Sequence, residues 1–268
     1  MAEPGRGLRH AEHVMGTVFS FDIRGAVTPA VRRALTDAVA MLHRVDEVFS
    51  TFRPDSAISR LGAGTTTVDA CPPEVAEVLE LCAEATRRSG GWFSVRAAGF
   101  LDPSGLVKGW ATERAAELLR GAGAERVCVN GGGDLQCTGT APADPWRLGV
   151  ADPAAPGHLL AVVQGYDLAV ATSGTAERGA HILDPHAREP AGELLSLTLI
   201  GNRLTWTDAY ATAAFARGSA ARDWVEGLEG HEALAVTRGG AVWHTSGFGS
   251  FGRLLHRGTS PGRLTSDA

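Results

Sequence analysis

The chain has 268 residues, 44% of them hydrophobic, a formal net charge of -5 and an isoelectric point near 6.0. It is long enough to bury a substantial core in one domain or two closely joined lobes, and an acidic balance without a basic run argues against nucleic acid or an anionic membrane surface as the main partner. Four cysteines without Cys-x-x-Cys spacing (Cys71, Cys82, Cys128 and Cys137) read as reduced, buried thiols, while the absence of a long apolar run or a signal core predicts no membrane insertion and a cytoplasmic location.

Residues 1–13 read as a flexible N-terminus, 14–248 as a single domain of two closely joined lobes, and 249–268 as a flexible tail. Met15-Gly16-Thr17 leads into a strand over Val18–Ile23; its first residues suit either packing or the close approach of a flat ligand. Thr28-Pro29 starts a helix whose apolar face (Val31, Leu35, Val39, Leu42, Val45 and Phe49) runs to Ser50, followed by a hydroxyl-rich loop through Phe52. A second helix follows Pro72-Pro73 and closes at Gly90-Gly91, where Trp92-Phe93-Ser94 forms a short aromatic segment.

Leu101 to Trp110 holds Lys108, the only lysine in an arginine-rich chain. Retention of a lysine where arginine supplies every other cationic side chain points to a site that needs a compact ammonium group. Asp102, the Pro103–Gly105 turn and Lys108 at the entry of a helix over Trp110–Leu119 are the parts of which phosphate or metal-phosphate sites are built. The strand Arg126–Asn130 then empties into Gly131-Gly132-Gly133-Asp134; the glycines permit amides to approach a phosphate or a ring, and Asp134 suits a ribose or the ordering of the loop. The dinucleotide spacing Gly-x-Gly-x-x-Gly is absent.

Short strands at Leu148–Val150, Leu159–Val163 and Leu168–Ala171 predict an antiparallel meander that delivers Thr172-Ser173-Gly174, with His181-Ile182-Leu183-Asp184-Pro185 beyond it. After a strand at Leu195–Ile200, a helix starting near Thr207 puts Asp208 and Thr212 one turn apart on one face, where a carboxylate and a hydroxyl reach the same hard cation; aspartate is also an ordinary helix starter. A helix around Ala220–Leu228 and strands at Ala233–Thr237 and Ala241–His244 complete the predicted elements.

Taken in order from Met15 to about Phe248, these segments resemble the ApbE family of FAD:protein FMN transferases. The motifs are Met15-Gly16-Thr17, Phe49-Ser50-Thr51 through Ser59-Arg60-Leu61, Asp102 through Lys108-Gly109, Asn130 through Asp134, Ala171 through Gly174, His181 through Pro185, and Asp208 to Thr212. The resemblance implies an α+β fold of mixed, largely antiparallel sheets flanked by helices, with FAD as substrate, Mg2+ at the pyrophosphate, and an acceptor flavoprotein whose Thr or Ser receives FMN as AMP is released. It places Gly105, Asp208 and Thr212 at the metal, and Met15, Phe52, Trp92, Phe93, Ser94, Asp102, Lys108, Gly132, Gly133, Asp134, Thr172 and Ser173 at FAD. His181 is the candidate for activating or positioning the acceptor hydroxyl, and Asp208 counts with it among the catalytic residues. Phe52, Ser94 and a short segment between Phe93 and Asp102 depart from the family pattern on the flavin side. An FAD pyrophosphatase and a non-catalytic FAD-binding protein are the alternative readings.

Overall fold

The computed structural model describes residues 7–140, 142–175, 179 and 182–255. Among these residues, eleven strands and six α-helices follow one another: β1 (Leu8–Val14), β2 (Thr17–Arg24), α1 (Pro29–Phe49), α2 (Ala57–Gly62), α3 (Pro73–Arg88), α4 (Ser104–Gly121), β3 (Arg126–Gly131), β4 (Asp134–Thr138), β5 (Trp146–Ala151), β6 (Leu159–Gly165), β7 (Leu168–Gly174), β8 (Leu194–Gly201), α5 (Leu204–Arg217), α6 (Ala221–Glu226), β9 (Glu232–Thr237), β10 (Val242–His244) and β11 (Gly252–Leu254). The fold is α+β, as expected.

Eight strands form one antiparallel sheet in the order β1-β2-β3-β4-β7-β8-β9-β10, and β11-β6-β5 form a second. The central strands of the large sheet are covered on both faces, so most of their positions are buried instead of alternating with exposed ones. Val127 and Val129 of β3, with Phe19, Phe21 and Ile23 of β2, meet α1 and α4. Ala169, Ala171, Leu197 and Leu199 meet α5 on the same side. The intervening residues Cys128, Leu168, Val170 and Ile200 pack on Trp146, Leu148 and Val163 of the small sheet. Period-two geometry thus divides the central strands between two cores.

Several sequence expectations are corrected. Residues 8–13, expected to be flexible, form most of β1, which pairs with β2 from Leu8↔Ile23 to Val14↔Thr17; their alternating exposure is that of an edge strand with one solvated face. The expected tail supplies β11, which pairs with β6. β5 and β6 pair as a meander would, but β7 leaves them to lie between β4 and β8. α4 begins at Ser104 and not at Trp110: the Asp102 carboxylate accepts the Ser104 N–H at 2.9 Å, closing the turn onto the helix. Lys108 therefore stands in the second turn of α4, not at its entry. α5 likewise starts three residues before Thr207.

Candidate active site

α4 and α5 cross at Gly109, where a Cβ would fall 2.6 Å from the Leu204 carbonyl and 2.7 Å from Asp208 Cβ. Only glycine permits that approach, and it brings Asp208 onto the backbone of α4. The Gly109 N–H donates to Asp208 Oδ2 at 2.9 Å, and the Lys108 ammonium reaches the same oxygen at 3.2 Å. In a regular helix the Gly109 N–H would serve the Gly105 carbonyl alone; here the same N–H donates to Asp208. The Lys108 ammonium also pairs with Asp134, whose other oxygen accepts the Thr172 N–H at 2.8 Å. Asp134 and Asp208 are 4% and 6% exposed. Two nearly buried carboxylates and one ammonium leave a net negative charge, an arrangement that a further cation stabilises.

α5 owes its place to borrowed caps. It has no side-chain cap of its own. The Leu204 N–H donates to Gln136 Oε1 of β4 at 2.8 Å, and the Thr205 N–H donates to Glu113 Oε2 of α4 at 2.9 Å. Arg203 Nε donates to the second Glu113 oxygen at 2.6 Å. The elements carrying Lys108, Asp134 and Asp208 are thereby tied to one another. Sequence reasoning missed Glu113 and Gln136, and gave Gly109 only as part of a family motif. Nothing in the local pattern separates Glu113 from a solvated helix carboxylate, although it is 4% exposed.

Lys108, Asp134 and Asp208 stand at the wall of a cleft of about 1070 Å³ between the helices and the small sheet. Every described residue that the sequence marked for FAD or metal lines it: Met15, Phe52, Trp92, Phe93, Ser94, Asp102, Gly105, Lys108, Gly132, Gly133, Asp134, Thr172, Ser173, Asp208 and Thr212. His181 lies outside the described residues. Met15 and Gly16 form the two-residue turn between β1 and β2, and Met15 takes a left-handed φ of 55° that non-glycine residues seldom adopt. Phe93 is buried against Gly105, while Phe52 is 95% exposed at the rim. Trp92 is held edge-on by His186, with ring centroids 4.7 Å apart, and from its face by Arg217 at 5.3 Å. Burial depresses the Arg217 pKa below its usual value. The Thr172 and Thr198 hydroxyls hydrogen-bond at 2.9 Å.

One expectation fails in detail. The Gly132 N–H donates to the Val18 carbonyl at 3.2 Å and the Gly133 N–H to Asn130 Oδ1 at 2.8 Å. These amides hold the turn and are not presented to a phosphate in this arrangement. Asp134, bound to Lys108 and Thr172, orders the loop and the ammonium.

A hard divalent cation fits the donor set. Both hydrogen bonds that Asp208 makes among the described residues fall on Oδ2. Thr212 Oγ1 lies 3.5 Å from where a Gly105 Cβ would be, one helical turn beyond Asp208. A carboxylate, a hydroxyl and a backbone carbonyl are oxygen donors of the kind Mg2+ takes, with water and substrate phosphate completing the shell. Among the described residues, no group of three His, Cys, Asp or Glu side chains is placed to hold a metal. Among the same residues, no helix is long and apolar enough to cross a membrane.

Known proteins resemble this chain in sequence and in fold. The ApbE family model matches residues 15–101 and 96–235. An FAD:protein FMN transferase of Rhodobacter capsulatus is 31% identical over 156 residues, covering 54% of this chain and 29% of the relative. One from Vibrio cholerae is 27% identical over 130 residues, covering 44% of this chain and 39% of its own. The chain thus aligns with less than half the length of these relatives. In structure, the ApbE protein of Thermotoga maritima superposes with a TM-score of 0.80 at 21% identity, covering 92% of this chain and 99% of that one. The flavin transferase ApbE of Vibrio cholerae gives 0.77 at 19% identity, covering 91% and 99%. With the family model spanning most of the chain, this protein belongs to the ApbE family.

Proposed function

We propose that this protein is a Mg2+-dependent FAD:protein FMN transferase that attaches FMN to a Thr or Ser hydroxyl of an acceptor flavoprotein and releases AMP. The observation that carries this reading is the Lys108 ammonium held between Asp134 and Asp208, with Gly105 and Thr212 beside it in the lining of a cleft of about 1070 Å³. Phosphoryl transfer asks little covalent work of a protein; it needs in-line positioning and neutralisation of charge on the pyrophosphate. Lys108 supplies a fixed positive charge at the cleft wall. Asp208, Thr212 and the Gly105 carbonyl would hold Mg2+, which supplies further charge neutralisation at the pyrophosphate when bound.

Trp92, Phe93 and Met15 provide apolar surface for the flavin ring, with Phe52 at the rim beside the acceptor's approach. The acceptor oxygen bonds to the FMN phosphorus, the bond from that phosphorus to the bridging oxygen breaks, and AMP leaves with that oxygen. The proton of the acceptor hydroxyl passes to His181, the residue that the family resemblance assigns to this step, and such general-base assistance is worth roughly 10²–10⁴-fold.

The test is Asp208→Ala, assayed for AMP release from FAD with Mg2+ and acceptor. The expected result is loss of turnover with the fold retained. Full activity in this variant would remove Asp208 from the site. Separating the products distinguishes transfer, with flavin on the acceptor, from hydrolysis to free FMN.

A further inference from the structure

Cys128 and Cys137 are nucleophiles that the cleft does not use. They stand opposite each other on β3 and β4, and their Sγ atoms lie 3.0 Å apart. The two strands are joined by the Gly132-Gly133 turn, flanked by the pair Gly131↔Asp134. In a two-residue hairpin that flanking pair is hydrogen-bonded, and the character alternates along the ladder, so Cys128↔Cys137 is a non-hydrogen-bonded pair. Such pairs bring Cα atoms to about 4.5 Å, inside the roughly 4.4–6.8 Å that a disulfide spans. The backbone register therefore already supplies the geometry that a disulfide requires.

Access is one-sided. Cys137 is fully buried, whereas Cys128 is 8% exposed and lines an open recess of about 490 Å³ with Arg9, Asp22 and Asn130, among others. Its hydrogen bond with Cys128 and its burial both hold the Cys137 thiol above the usual range, which makes Cys128 the leading nucleophile.

We propose that Cys128 and Cys137 are a modification site: they form a reversible cross-strand disulfide, with a small-molecule disulfide such as oxidised glutathione as the oxidant. Cys128 loses its proton to solvent and attacks one sulfur of the oxidant, releasing the first thiol. Cys137 then loses its proton and attacks Cys128 Sγ in the mixed disulfide, releasing the second. The protein gives up two electrons and two protons, and one oxidant molecule becomes two thiols. The resulting ring encloses the Gly132-Gly133 turn and Asp134, and so staples the hairpin end that holds the Lys108 ammonium.

The experiment incubates the full chain in glutathione buffers of graded redox ratio, alkylates it under denaturing conditions and maps the peptides by mass. The expected product is lighter by two hydrogens, links the Cys128 and Cys137 peptides, and leaves Cys71 and Cys82 alkylated. Its Tm lies above that of the reduced protein by roughly 5 °C, since the bond restricts the unfolded chain. Cys137→Ala takes up a single glutathione at Cys128 and forms no link. Four alkylatable thiols at every ratio, a link through Cys71 or Cys82, or a linked protein of lower Tm would overturn the proposal. The mapping of the unsubstituted chain decides the matter even if the alanine variant folds poorly.

Discussion

Replacing Glu113 with alanine isolates the device that seats α5. The Glu113 carboxylate is buried and accepts the Thr205 N–H at 2.9 Å and the Arg203 guanidinium at 2.6 Å. Removing it leaves a buried helix N–H without a partner, which costs about 1–3 kcal/mol, and loss of a helix cap costs about 0.5–2 kcal/mol. The two descriptions overlap, so the net destabilisation is about 2 kcal/mol, and the Tm falls by roughly 4–8 °C for a chain of this size. Arg203 is 62% exposed, so its ion pair adds at most a few tenths of a kcal/mol. Glu113→Gln keeps an acceptor for Thr205 and should recover most of the loss. Thermal unfolding of both variants, with amide exchange at Gly109 as the local reporter, checks the prediction. An alanine variant within about 0.5 kcal/mol of the original, with Gly109 equally protected, would refute the capping argument.

Gly109→Ala inserts a Cβ at 2.6 Å from the Leu204 carbonyl. Overpacking of this kind costs about 1–3 kcal/mol, partly offset by helix propensity, and the separation of α4 from α5 should lower FAD turnover at least tenfold in the same assay. Burial holds the His231 pKa below its usual value. The folded state therefore resists the proton that the unfolded chain accepts; this contribution is intact above about pH 6.5 and is lost as pH falls below it. The stability difference between the parent protein and His231→Gln, measured by denaturant unfolding at about pH 7.5 and 5.5, should shrink on acidification. Burial, with a smaller contribution from Asp102, pushes the Cys82 thiol up to about 12. Iodoacetamide at mildly alkaline pH should therefore modify half-buried Cys71 well before Cys82, as read by peptide mapping.

Much of the site was legible because its chemistry is concentrated in unusual residues. A lone lysine and an Asp/Thr pair one helical turn apart point at α4 and α5 without any knowledge of their packing, and both lie at the cleft wall. What connects them was not legible. Glu113 and Gln136 act on backbone N–H groups of a helix far away in the chain, and nothing local marks a carboxylate or an amide as a borrowed cap. The Gly131–Gly133 run was overread because its composition reports conformational freedom, whereas partners for its amides come from Val18 and Asn130. The exchange of β7 into the large sheet was hidden for a related reason: strands buried on both faces carry continuous apolar runs, and such runs do not encode which neighbour they pair with. The start of α4 was misplaced because Asp-Pro-Ser-Gly is at once a turn signature and a helix entry.

The central claim is tested most directly by incubating the purified protein with FAD and Mg2+, with and without a candidate acceptor flavoprotein, and following AMP and flavin retained on denatured protein together. The account predicts AMP release that depends on the acceptor, matched one for one by FMN bound through a Thr or Ser of that acceptor. FAD held in the cleft with no AMP formed, across a range of acceptors and divalent cations, would contradict it.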